Sequence, residues 1–246
     1  MKKVFAIFIL CAMSLAFAQS PSVAEPAPRE HRGFYSNTSF GFALNWFKNS
    51  IEDIYRSDDG VNQKNRDVDF YEYYGTTFML GEFKFGYALG NLVALHTVFN
   101  FGFYIGTVDY YEEHYRLICT KENVCIETPN LERDNDEDPS AGDAYNIRTY
   151  LGFGATFYPF RDKNSSLYNA FVGGSFGYTL FVNAGHRENG NGGIGFELEL
   201  GKEWWLNDRL SLGVGLGFAH FGLVWGTVAS HRSDNVLSLS FRITRG

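Results

Sequence analysis

Three short constellations in this 246-residue chain carry side chains capable of chemistry. His231-Arg-Ser233 sets an imidazole two residues before a hydroxyl, the pairing of a base with a nucleophile. Such a pair needs an acid to orient the histidine; Asp234 is the one nearby acid, and no Glu follows Glu203. Asp134-Asn-Asp-Glu-Asp138 gathers carboxylates as calcium loops do, but Pro139 and Tyr145 stand where an EF-hand carries its glycine and its closing glutamate. Calcium at Asp134, Asp136 and Asp138 stays open beside the reading of a solvated acidic loop. Cys119 and Cys125 are closely spaced and, in an oxidising compartment, are expected to form a disulfide; free thiols or a metal pair are the alternatives. Two cysteines are too few for a structural zinc site, and there is no phosphate loop, HExxH or CxxC motif. No cofactor or metal is therefore expected.

The elements that position these residues follow from the chain's patterning. Lys2 and Lys3, the apolar run 4–15 and Ala16-Phe17-Ala18 have the order of a secretory signal peptide, with cleavage expected after Ala18. Cys11 would leave with it. Residues 19–32, with three Pro and three Ala among charges, read as a short extended tether. No apolar run reaches the length of a membrane helix. A net charge of -7 gives no footprint for nucleic acid. From Gly33 onward the period is two. Phe34, Phe40, Phe42, Leu44 and Trp46 alternate with small or polar residues, as do Leu95, Phe99, Phe101, Phe103 and Ile105, and Ile194, Phe196, Leu198, Leu200 and Trp204. The opposite face of the last stretch holds Gly195, Glu197, Glu199, Gly201 and Glu203. An unbroken greasy stripe backed by glycine and glutamate fits lipid outside and a tight polar lumen inside better than a soluble sheet.

This reading predicts an all-β fold, an eight-stranded antiparallel transmembrane up-and-down barrel over 33–246. Its strands fall near 34–46, 76–88, 92–106, 144–158, 167–181, 193–205, 210–221 and 235–244, each long enough to cross a hydrocarbon layer, which takes about 9–11 residues. Short links alternate with long ones. Loops 47–75 and 107–143 are the longest, and with 4 basic against 7 acidic and 3 against 11 residues they carry -3 and -8. Short turns inside and long loops outside place both termini in the periplasm. Aromatic girdles are expected from Trp46, Tyr74, Tyr145 and Phe181 at the outer rim, and from Tyr87, Phe157, Tyr168 and Trp204 at the inner one. Lys202 would face lipid close to the inner interface.

Alternation turns Glu82, Lys84, Arg148, Glu197, Glu199, Glu203 and Arg242 into the lumen, with His96 and Asn100 beside them. Eight strands leave room for little more than side chains, so four acids and three bases should pair into a plug, with Glu203 and Arg242 together near the periplasmic end. The strand at 210–221 offers only Ser211, Gly213, Gly215, Gly217 and Ala219 inward. Tyr104, Tyr150, Phe171 and Trp205 would fill that space or leave a small cavity. The tyrosines 71, 73, 74, 110, 111 and 115 either extend strands beyond the membrane or form a contact patch.

The whole stretch after Gly33 resembles the eight-stranded outer-membrane barrels of the OmpA and OmpX type, in phrases such as Leu151-Gly-Phe-Gly-Ala-Thr-Phe-Tyr-Pro-Phe160 and Gly201-Lys-Glu-Trp-Trp-Leu-Asn-Asp-Arg209. It departs from them at the end, where Phe241 is followed by Arg242-Ile-Thr-Arg-Gly246 instead of closing the chain. The resemblance implies the outer membrane of a Gram-negative-type bacterium, contact with its lipid and lipopolysaccharide, and the barrel-assembly machinery as a partner. The expected role is structural or surface-interacting, for a non-enzymatic monomer with acidic loops open to an extracellular ligand. Two alternatives stand beside it. One is a lipid A-modifying hydrolase, since lipid A deacylases resemble the His231-Arg-Ser233 pattern. The other is a narrow ion channel.

Overall fold

The structure, a computed structural model, describes residues 30–56, 63–119, 125–129, 143–184, 191–225 and 229–246. The expected signal peptide at 1–18 with Cys11, most of the tether, and the acidic run with Asp134, Asp136 and Asp138 lie outside the described residues. Among the described residues nine strands follow in order: β1 (Gly33–Arg56), β2 (Gln63–Leu89), β3 (Val93–Cys119), β4 (Cys125–Pro129), β5 (Asp143–Phe157), β6 (Ala170–Ala184), β7 (Asn191–Trp205), β8 (Leu210–Trp225) and β9 (Ala229–Arg245). All pairings are antiparallel. The order β2-β1-β9-β8-β7-β6-β5-β3 closes on itself through β2–β3, and β4 is a short addition to the far end of β3. The eight staves therefore form the expected barrel, with no free edge around the ring.

Alternation decides the two faces. Phe153, Leu151, Phe176 and Phe34 lie 60–74% exposed on the outside, while Tyr35, Tyr104, Arg148 and Arg242 are at most 1% exposed within. Leaving so many large apolar side chains to face outward all around a closed barrel is stable only against hydrocarbon; the fold is a transmembrane β-barrel of the outer-membrane type. Tyr74, Tyr145, Tyr87, Phe157 and Trp204 are outward as girdle residues. Phe181 corrects the expectation. It is 1% exposed and meets Phe221 edge-on at 6.3 Å inside the lumen, because it shares the face of Phe171 on β6. The register of β2 slips between Thr76 and Met79, so Tyr73 and Thr77 below the slip in sequence and Leu80 and Lys84 beyond it all face inward. A bulge changes the parity that simple alternation assumes.

The short turns are built by backbone-compliant residues. Residues 90–92 join β2 to β3, with Gly90 and Asn91 at positive φ (61° and 52°) as the central pair of a turn closed by Leu92 N–H donating to the Leu89 carbonyl at 3.3 Å, the geometry that matches the twist of a hairpin. Gly33, at φ 83°, turns the chain sharply before β1.

The main difference from expectation lies at the other end. The described residues of segments 47–75 and 107–143, expected as loops, are strand: β1 pairs with β2 without a break from Asn45↔Gly75 to Arg56↔Lys64, and β2 with β3 from Gly75↔Gly106 to Gln63↔Ile118. β1, β2 and β3 are 24, 27 and 27 residues long, whereas β5 to β9 are 15–17. The first three staves thus run on past the ring as a projecting sheet. β-branched and aromatic residues such as Ile51, Ile54, Val68, Tyr71 and Tyr110 favour extension there, and each strand supplies the hydrogen-bonding partner of the next.

Candidate functional site: the charged lumen

β2, β5, β7 and β9 bring Glu82, Lys84, Arg148, Glu197, Glu199, Glu203 and Arg242 to the lumen side of the ring. Lys84 lies 3.1 Å from Glu82 and is hydrogen-bonded to Glu199. Arg242 spans two carboxylates, with Nη1 3.1 Å from Glu199 Oε2 and Nε 2.9 Å from Glu203 Oε1. Glu199, at the centre, is thus shared by both cations. The side chains of Lys84, Arg242 and Glu203 are 4%, 0% and 0% exposed, so each charge depends on its partners rather than on water.

Two expected members stand apart from this chain of pairs. Glu197 accepts a hydrogen bond from Asn100 Nδ2 at 3.0 Å. Arg148 has no carboxylate within ion-pair distance among the described residues; its guanidinium lies over the rings of Phe221 at 4.5 Å and Tyr104 at 5.6 Å. It is held by aromatic faces in place of an acid. Between the two groups is a cavity of about 40 Å³, lined by Glu82, Lys84, His96, Asn100, Arg148, Ser175, Glu197, Glu199 and the glycine-rich face of β8 at Gly217. That volume suits a few water molecules and no larger guest, at roughly 10–15 Å³ for each water.

Both outcomes expected opposite the small residues of β8 occur. Gly217 borders the cavity, while Phe171 fills the space further along: a Cβ on Gly201 would come 2.6 Å from Phe171 Cζ, and Arg242 lies 3.9 Å above the same ring. A side chain on β7 there would displace the ring that carries the arginine.

Other lumen groups were not legible as a site. Toward the projecting sheet, Asn45 donates to Asp234 and accepts from Asn146 Nδ2 at 2.9 Å, joining β1, β9 and β5. At the short-turn end, Ser211 Oγ donates to Glu203 Oε2 at 2.6 Å and Thr244 Oγ1 to Glu203 Oε1 at 2.9 Å, while Arg242 Nη2 donates to the Tyr35 hydroxyl at 3.1 Å. His31, from the stretch read as tether, is fully buried there, its Nε2 3.1 Å from Glu203 Oε2. A lone histidine among prolines and charges carries no period that would have revealed this.

The remaining sequence candidates sit at the rim. Ser233 is exposed and Asp234 wholly buried, so neighbouring positions of β9 point to opposite faces and the acid is engaged by Asn45 inside the barrel. His231 shares the parity of Ser233, and its side chain lies outside the described residues. Asp234 is thus turned away from the side of the strand where Ser233 stands. Cys119 and Cys125 face each other directly in the β3–β4 register. Outside the barrel, Lys202 Nζ donates to the Ser166 carbonyl and lies 5.6 Å from the Trp204 ring, as an amphipathic lysine does at an interface.

No protein-family model and no curated protein matches the chain. Among solved structures it is similar to the outer membrane protein OprG from Pseudomonas aeruginosa, at 11% identity over 88% of this chain and 98% of that one, with a TM-score of 0.34. It is similar to Ail, the attachment invasion locus protein of Yersinia pestis, solved with the heparin analogue sucrose octasulfate, at 9% identity over 85% and 99% and a TM-score of 0.32. The outer membrane protease OmpT from Escherichia coli aligns at 9% identity over 92% and 99%, with a TM-score of 0.38. The barrel assignment rests on the closed ring of pairings.

Proposed function

We propose that this protein is a monomeric barrel of the outer membrane, both termini periplasmic, whose lumen is plugged by the Glu82–Lys84–Glu199–Arg242–Glu203 chain and whose role is to hold an acidic sheet at the cell surface for interaction. The organisation that accompanies this reading is a signal peptide over 1–18, a periplasmic tether over 19–32 and the barrel over 33–246. The observation that carries it is the projection of β1, β2 and β3 past the ring. A sheet paired residue by residue holds its outer positions in fixed register at a lower ordering cost on binding than a free loop. The segments 47–75 and 107–143 together bring -11, which favours a basic or divalent-bridged partner, including lipopolysaccharide bridged by cations, and disfavours a polyanion.

The test compares cells displaying the full protein with cells displaying a form in which both projecting hairpins are cut back to short turns. Adhesion to amine-coated and to neutral surfaces is measured at low and high salt. The reading expects salt-sensitive adhesion to the amine surface that the shortened form loses, while the shortened form still shows the heat-dependent electrophoretic shift of a closed barrel. Equal adhesion by both forms would leave a structural role alone.

A further inference from the structure

The short-turn mouth of the barrel is closed by residues that belong to no strand. Gly33 turns the chain so that residues 30–32 pass beneath the lumen. The backbone of His31 is clamped at both ends by one side chain and one amide: its N–H donates to Asn91 Oδ1 at 3.0 Å, and Asn91 N–H donates to its carbonyl at 2.8 Å. Its ring lies between Tyr158, with centroids 4.4 Å apart and planes at 30°, and Trp205, at 4.7 Å and 35°. Nε2 meets Glu203, and a Cβ on Gly246 would come within 2.5 Å of Nδ1. Two aromatic faces, one carboxylate at the edge and a backbone clamp make a built recognition site.

The carboxylate at the edge of this ring is a busy one. Glu203 receives Arg242, Ser211, Thr244 and, at 3.3 Å, the Tyr158 hydroxyl, and His31 arrives at its Oε2 from outside the strands. We propose that the short-turn mouth is an imidazole-binding pocket filled in cis by His31, and that residues 30–32 are a stopper seated by it. The pocket suits a flat ring with a nitrogen at its edge: a phenyl ring would stack but bring no polar atom to the Glu203 carboxylate, and an ammonium would pair but leave the rings apart.

The inference is independent of the surface role and of which compartment this mouth faces. Its test uses free imidazole on the full chain refolded in detergent. His31→Ala should lower the midpoint of the heat-dependent mobility shift, and imidazole should restore it saturably, with a dissociation constant of about 1–10 mM for so small a ligand. The wild type, its pocket filled, should not respond, and His31→Ala combined with Glu203→Gln should respond at least tenfold more weakly. Should His31→Ala refold poorly, His31→Ser keeps a small polar group at the mouth and leaves the place of the ring empty, and imidazole binding to that variant is read directly by ligand-observed NMR. An unchanged midpoint in folded His31→Ala overturns the proposal. So does failure of imidazole to bind either variant, or an equal response in the wild type and with Glu203→Gln.

Discussion

Arg242 on β9 and Glu203 on β7 lie 2.9 Å apart with neither side chain exposed, and the other end of the same guanidinium holds Glu199 at 3.1 Å. Removing the arginine takes the guanidinium from the buried Glu203 carboxylate and leaves Glu199 with Lys84 alone. Arg242→Met is therefore expected to destabilise the barrel by about 3–5 kcal/mol, the cost of breaking a buried ion pair on one side only. Combining it with Glu203→Gln should recover part of the loss, since an amide needs no counter-charge. Urea unfolding of the protein in lipid vesicles, followed by tryptophan fluorescence, measures both.

Phe171 supports that arginine from below and fills the room left by Gly201 and Gly215. Phe171→Ala should cost about 3–5 kcal/mol through the cavity it leaves, while Phe171→Leu should cost much less. The same unfolding assay separates them. Near-equal values would mean that the ring is not what fills the lumen beside β8.

Register places Cys119 opposite Cys125 across β3 and β4. A disulfide between them is expected in protein recovered from an oxidising compartment. Peptide mapping without reductant should yield the linked pair, with a mass 2 Da below the two thiols, as loss of two hydrogens requires. Two free thiols in that map would reject the staple.

On β9 the exposed Ser233 and the buried Asp234 point to opposite faces, and Asp234 is bound to Asn45 inside. A hydrolase built on His231 and Ser233 would lack that acid as its orienter. Ser233→Ala is expected to leave the lipid A of the displaying cells unchanged by mass spectrometry. A shift in lipid A acylation on that single substitution would restore the hydrolase.

Much of this was legible in the residues. Period-two alternation from Phe34 to Ile243 fixed the strands, the lipid face and the inward set of charges, because in a sheet one face buried against lipid and one against the lumen leave a residue's parity as its only choice. The projecting sheet was hidden, since its polar and charged sequence reads as loop until neighbouring strands supply the hydrogen bonds that make extension favourable. Parity also fails where the register slips at Thr76 and Met79. Which charge meets which was decided by the ring alone: Lys84 finds Glu199, Arg242 finds Glu203 and Arg148 finds rings, because pairing depends on stagger between strands far apart in sequence. His31 belongs to the same class. No local pattern marks it, and only closure of the barrel creates the mouth, with Tyr158, Trp205 and Glu203 around it, into which its ring fits.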